Sequence, residues 1–155
     1  MNEADFTTLC RELMPGMYRI GMSMLRRHQD AQDAVQQCLM KAWAARERVQ
    51  PGKERAWLMR ILVNECRTVL RQRRRMLPVA EVPEAAYTPP DTALRDAIDA
   101  LPDAWRLPVL LKYMEGMSEV EAAQALGVSR PVLKGRLYRA RRALEKALKE
   151  EVELE

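Results

Sequence analysis

Apolar residues recur at helical spacing through most of the chain, and no run of alternating β-branched residues interrupts them. The pattern predicts a short helix from about Glu3 to Met14, a break at Pro15-Gly16, and a second helix with Met17, Gly21, Met24 and Leu25 on one side. Asp30, with Asp33 three residues on, has the form of an acidic capping box. The helix it opens sets Ala34, Val35, Cys38, Leu39, Ala42 and Trp43 on one face and Asp33, Gln36, Gln37 and Lys41 nearer the other. After Pro51-Gly52 a long helix is predicted from about Glu54 to Arg74, with Trp57, Leu58, Ile61, Leu62 and Val69 inward.

The period disappears over residues 76–93, which hold four of the nine prolines and no Lys or Arg. This stretch is expected to be a semi-extended tether. About 18 residues at ~3.1 to 3.3 Å each reach roughly 55 Å when extended. Beyond it four helices are predicted, at about Thr92 to Ala100, Asp103 to Met114, Glu119 to Leu126 and Arg130 to Lys149. Pro108 lies inside the second of these, so a kink or a late helix start is expected there. Ser118 and Ser129 serve as caps, and Gly116 and Gly127 as turns. From Ser118 to Leu137 the layout is that of a helix-turn-helix, in which Ala122 and Ala123 allow close contact and Val128, Leu133 and Leu137 lock the second helix on the first. The fold class is therefore all-α, two small helical domains over residues 1–75 and 94–155 joined by a Pro-rich linker.

Composition adds a bound, and charge adds a direction. With 155 residues there is room for one ordinary domain or two small ones. No stretch has the apolar length of a membrane span, and the acidic N-terminus lacks the basic start and apolar centre of a signal peptide, so no membrane insertion and a cytoplasmic location are expected. The overall charge of +4 hides its distribution. Residues 1–75 carry 15 basic and 8 acidic side chains, residues 76–93 carry only 3 acidic ones, and residues 94–155 carry 11 of each.

Two basic clusters stand out. From Ser129 to Arg142 there are six basic residues and no acidic one. In a helix-turn-helix the second helix enters the major groove by its N-terminal turns, which brings Arg130, Pro131, Val132, Lys134 and Gly135 towards base edges and leaves Arg136, Arg139 and Arg141 for phosphates. The second cluster combines Lys53, Arg55, Arg60, Arg67, Arg71, Arg73, Arg74 and Arg75 with Trp57. Positive charge interleaved with an aromatic ring suits single-stranded nucleic acid, whose bases stack while the charges follow the backbone. Trp57 is equally readable as core.

Catalytic chemistry is not written in the chain. His28, beside Arg27 in an expected loop, has no acid partner or cysteine at ligand spacing and reads as a surface residue. Cys10, Cys38 and Cys66 form no CxxC and read as small buried hydrophobes. No Gly-rich phosphate loop, nucleophile elbow or metal-binding carboxylate cluster is present, so neither an enzyme nor a cofactor or metal is expected.

The run from Asp30 to Trp43 (DAQDAVQQCLMKAW), the run from Ala56 to Asn64 (AWLMRILVN) and the arginine tail resemble region 2 of the extracytoplasmic-function (ECF) sigma factors. The runs Leu101 to Arg106 (LPDAWR), Tyr113 to Ser118 (YMEGMS) and Lys134 to Leu144 (KGRLYRARRAL) resemble their region 4. What the resemblance implies is a dissociable specificity subunit of bacterial RNA polymerase. It implies docking on the coiled coil of the polymerase β′ subunit through the helix from Asp30 to Trp43, with Asp33, Gln36, Leu39 and Met40 on the docking face. Recognition and melting of the promoter −10 element would fall to Lys53, Arg55, Trp57, Arg60, Asn64, Arg67 and Arg71, and a flipped base would be captured there. The second domain would read the −35 element as duplex and pack on the flap of the β subunit. An anti-sigma factor is a possible further partner. Gln32, Gln37-Cys38, Thr68, Pro108, Pro131 and Gly135 depart from the family pattern. Two alternatives stand beside this reading: a sigma-like adaptor that does not itself open promoters, and a free-standing helix-turn-helix regulator, which leaves the first domain without a role.

Overall fold

The structure is a computed structural model that describes residues 1–76 and 93–154. Apart from Met76 and Ala93, the expected tether lies outside the described residues. Every regular element among them is helical: α1 (Glu3–Leu25), α2 (His28–Ala44), a short turn of 3₁₀ helix (Arg46–Arg48), α3 (Glu54–Arg75), α4 (Ala93–Asp99), α5 (Asp103–Val109, continued by a wider turn over Leu110–Met114), α6 (Glu119–Leu126) and α7 (Arg130–Leu154). The chain divides into two compact units, one carrying α1–α3 and the other most of α4–α7. No described helix is long and apolar enough to cross a membrane.

In the first unit α1, α2 and α3 pack mutually. The side chain of Asn2 caps α1 by accepting from the Asp5 N–H at 2.8 Å, and Glu3 and Asp5 stand in the first turn, where the helix dipole favours an acid. The expected break at Pro15-Gly16 does not occur, because α1 runs straight through it. The reason lies in the phase of the apolar residues. Phe6, Cys10, Met17, Ile20 and Met24 keep one helical register on both sides of Pro15, so a continuous helix buries all five at once, and that burial offsets the missing hydrogen bond. Pro15 itself is exposed, with its ring turned away from the core. At Gly21 the helices approach so closely that an added β-carbon would stand 3.4 Å from Ala31 Cβ.

The turn between α1 and α2 also departs from expectation. Arg26 adopts a left-handed conformation (φ +60°), and its N–H bonds to Met22 O at 2.9 Å, so α1 closes there. Helix α2 then begins at His28, which belongs to the helix and not to a loop, and its N-cap is Arg27, without a side-chain cap. Asp30 is not the cap. It sits in the first turn of α2 and pairs with Arg73, which also donates from Nη1 to Leu25 O at 2.8 Å. Arg73, counted above in the basic tail, is thus a clamp that ties the end of α3 to the α1–α2 corner.

Small residues of α2 (Ala31, Ala34, Cys38, Ala42) and the larger Leu58, Met59, Leu62 and Val63 of α3, with Cys66, are buried in the core that the three helices share, and the Cys38 thiol lies 3.5 Å from Leu58 O. Each fully buried leucine contributes about 1.5 to 3 kcal/mol to the core. The inward face of α3 is rotated from the expected one, since Trp57, Ile61 and Val69 are only half-buried. An ion pair between Lys41 and Glu65 joins α2 to α3 at the surface. Cys10, Cys38 and Cys66 are free and buried. Burial raises all three thiols, Cys66 to about 12, so they are protonated packing groups.

In the second unit α4 and α5 pack on α7. Arg106 is 3% exposed, donates to Leu101 O at 2.7 Å and pairs with Asp103, which pins the start of α5. The delayed start expected from Pro108 is absent, as α5 begins at Asp103. The irregularity comes after the proline: the Glu115 N–H reaches back five residues to Leu110 O at 2.9 Å, a widened turn that Gly116 (φ +68°) terminates. Ser118 and Glu121 form a reciprocal capping box, each side chain accepting from the other's N–H at 3.1 Å. Gly127 (φ +70°) closes α6 in a Schellman turn, with the Val128 N–H on Ala123 O and the Gly127 N–H on Gln124 O.

Candidate nucleic-acid interface

Helix α7 is fixed from beneath by Leu133, Leu137 and Ala140, all fully or nearly fully buried. Helical spacing then sorts its outward residues into three lines. Pro131, Gly135, Tyr138 and Arg142 (i, i+4, i+7, i+11) form the crest opposite the buried line, while Arg130, Lys134 and Arg141 run along one flank and Val132, Arg136 and Arg139 along the other. Gly135 is half-buried, and an added β-carbon there would meet nothing within 4 Å, so the crest is low at its centre. Such a ridge, basic on both flanks and low on top, matches a major groove walled by two phosphate strands.

Two crest residues are missing from the candidates named above. Tyr138 is 60% exposed, and its hydroxyl accepts from Arg142 Nη1 at 3.2 Å. The signal available for them was spacing: they continue the Pro131–Gly135 line by one and two turns. At the N-terminal end, Ser129 Oγ accepts from the Val132 N–H at 3.4 Å, and Arg130 Nε lies 3.6 Å from Glu119 Oε2. Glu119 also accepts from Lys112 Nζ at 2.9 Å, and that hydrogen bond, aided by the charges of Lys112, Lys134 and Arg130, lowers its carboxyl pKa. Further along, the Arg141 guanidinium stands 5.8 Å from the centre of the exposed Tyr113 ring.

The candidates on α3 form a second line. Lys53, Trp57, Arg60, Asn64, Arg67 and Arg71 follow one another at steps of four and three, and apart from half-buried Trp57 they are exposed. Lys53 is the residue just before the helix, and Arg55 falls outside this line. Thr68, one of the departures from the family pattern, donates to Asn64 O at 3.0 Å and accepts from Arg71 Nη2 at 3.1 Å, so it orients Arg71 along the line. Arg73 is turned away, held in its clamp, whereas Arg74 and Arg75 are exposed.

On α2, Asp33, Gln36 and Met40 are exposed on one face and Leu39 is half-buried at its edge. Trp43, expected in the core, lies on the same outer face, 38% exposed. Its ring meets Phe6 edge-on at 5.2 Å and carries the Arg46 guanidinium 3.7 Å above its centre. The buried positions of α2 are taken by the small Ala31, Ala34, Val35, Cys38 and Ala42. Met40 and Trp43 together give this face an apolar surface that an isolated helix in water would not favour.

Sequence and structure comparisons point in one direction. The Sigma-70 region 2 family model matches residues 9–76, and the Sigma-70 region 4 model matches residues 91–144. The RNA polymerase sigma factor SigV of Bacillus subtilis is 30% identical over 132 residues, covering 79% of this chain and 78% of that one. The ECF RNA polymerase sigma factor EcfG of Rhodopseudomonas palustris is 32% identical over 145 residues, covering 87% and 80%. Among solved structures, the sigma factor RpoE in complex with the anti-sigma factor NepR from Bartonella quintana superposes with a TM-score of 0.75 at 30% identity, covering 94% of this chain and 97% of that one.

Proposed function

The chain belongs to the ECF sigma factors of RNA polymerase, which are non-catalytic promoter-specificity subunits, and on that premise we propose how its surfaces divide the work of initiation. Residues 1–75 form the unit that docks on the β′ coiled coil of core polymerase through Asp33, Gln36, Leu39 and Met40 and, beside them, Trp43. The α3 line of Lys53, Trp57, Arg60, Asn64, Arg67 and Arg71, with Arg55 beside it, engages the −10 element as it melts. Flipping a base out of the duplex costs a few kcal/mol, which stacking and phosphate contacts along such a line offset. Residues 94–155 read the −35 element as duplex through Arg130, Pro131, Val132, Lys134 and Gly135, with Arg136, Arg139 and Arg141 on phosphates and the unit seated on the β flap. Residues 76–93 tether the two, and their ~55 Å reach spans about 16 base-pair steps of 3.4 Å. An anti-sigma factor is a partner of the same class as the one bound to the RpoE relative, and the working compartment is the cytoplasm.

The observation that carries this reading is the three-line surface of α7, because its basic flanks on either side of a low crest stay outside the buried line of their unit, even where Arg130 and Arg141 meet Glu119 and Tyr113. The test is initiation by core polymerase supplied with this chain, on promoters selected from the source genome. Specific transcripts with permanganate-reactive thymines near the start site are expected. Holoenzyme assembly without strand opening would replace this reading by the adaptor, and duplex recognition without polymerase binding would replace it by the free-standing regulator.

A further inference from the structure

Glu119 is an acid set into the most basic part of the second unit, and the promoter-reading scheme above gives it nothing to do. Its carboxylate is fixed on one side by Lys112, which donates to Oε1 at 2.9 Å, both side chains being half-buried. On the other side Oε2 faces Arg130 Nε at 3.6 Å, while the Arg130 side chain is 57% exposed. Arg130 is the first residue of α7, at the end that leads into a groove. A guanidinium carries its five N–H donors in a planar fork. An anion beside Nε leaves the Nη1 and Nη2 end open, and that end can donate two parallel hydrogen bonds to guanine O6 and N7. A long exposed side chain otherwise loses rotamer freedom when it binds, and an anchored partner removes part of that loss in advance. Lys112 balances the charge of Glu119, so the three groups together still present one positive charge to DNA.

We propose that Glu119, held by Lys112, is a positioning residue for promoter recognition that aims Arg130 at a base edge. This rests on the reading in which the N-terminal turns of α7 enter the major groove. A bare surface acid in the same place would do the opposite, repelling every DNA sequence alike, and the two roles separate in a measurement of specificity against affinity.

The experiment uses holoenzyme reconstituted from core polymerase and the full chain. Its probes are a duplex selected by that holoenzyme from a randomised pool, the single-base variants of that duplex, and a random-sequence duplex. Arg130→Ala is expected to lower discrimination at one base pair by about tenfold or more, the loss of one bidentate contact. Glu119→Gln, which keeps an oxygen for Lys112, is expected to lower discrimination at the same base pair while tightening binding to the random-sequence duplex. The double variant should discriminate no worse than Arg130→Ala alone, since Glu119 acts only through Arg130. If Glu119→Gln tightens binding to selected and variant duplexes by one common factor, Glu119 is a repulsive acid and the proposal is wrong. A further loss in the double variant would likewise overturn it, by showing action through another group. Unchanged discrimination in Arg130→Ala, or a selection that yields no preferred sequence, would overturn the groove reading of Arg130 itself, an outcome distinct from failure of Glu119 alone.

Discussion

Removing one arginine from each flank of α7 tests whether the helix lies between two phosphate strands. Arg139 shares its flank with Val132 and Arg136, and Arg141 shares the other with Arg130 and Lys134, so the two side chains leave the helix on opposite sides of the crest. If both grip phosphates, each neutralises one charge and contributes about 0.9 to the slope of log K against log salt. Between about 50 and 200 mM salt, one such contact accounts for a roughly 3.5-fold change in affinity and two for roughly 12-fold. Arg139→Ala and Arg141→Ala are each expected to flatten the slope by about 0.9, and together by about 1.8, because contacts on separate strands add. The assay is fluorescence anisotropy of a labelled duplex carrying the preferred −35 sequence, titrated with the full chain at several salt concentrations. Tyr138→Ala on the crest removes no charge and serves as the control with an unchanged slope. No change in either variant would show that α7 does not face the backbone. A change in only one would show that the helix rides along a single strand, which is incompatible with insertion into the groove.

Two further outcomes follow from the first unit. Because α1 runs through an exposed Pro15, Pro15→Ala lets residue 15 donate to the Arg11 carbonyl and removes a clash, a gain of about 3 kcal/mol less the ~0.4 to 1 that proline contributes by stiffening the unfolded chain. Scanning calorimetry should then show the transition of that unit raised by roughly 8 °C or more, and an unchanged or lower midpoint would mean that the helix is broken at Pro15 in solution. Met40 is 63% exposed, so Met40→Glu should leave stability within about 0.5 kcal/mol while weakening the affinity for core polymerase by about tenfold or more. An unchanged affinity would remove the Met40–Trp43 face from the docking surface.

The helical period and the turn residues carried most of the fold. Gly116 and Gly127 are left-handed as their positions after apolar runs imply, and Ser118 forms its capping box with Glu121. At Pro15, Asp30 and Trp43 tertiary contacts override the local signal. Pro15 breaks a helix only when tertiary burial does not hold both halves in register, and here Phe6 and Cys10 on one side and Met17 and Ile20 on the other are all buried in one helical phase. Asp30 has the identity and setting of a cap, yet its strongest available partner, Arg73, lies 43 residues away and could not be seen locally. Trp43 is expected on the apolar face of its helix with Ala34, Val35, Cys38, Leu39 and Ala42. The buried positions of that helix are taken by small residues, and the large ring lies at the surface, where Arg46 covers one face.

The arginines show what additional reading the sequence permits. On α3 the buried Leu58, Leu62 and Cys66 continue through Val69 to position 73 at steps of four and three, so Arg73 emerges on the core side and becomes a clamp to Asp30 and Leu25. Arg60, Asn64, Arg67 and Arg71 keep the opposite phase and emerge into solvent as a line. Both sets belong to what composition presents as one basic tail. The same rule works on α7, where Leu133, Leu137 and Ala140 fix the inward line and every basic residue from Arg130 to Arg142 falls outside it. It follows that a cluster of charge indicates a nucleic-acid surface only after the residues in phase with the core have been removed from it. On that basis the first unit loses Arg73 but keeps its line, the α7 surface loses nothing, and Glu119 becomes conspicuous as an acid in direct contact with that surface.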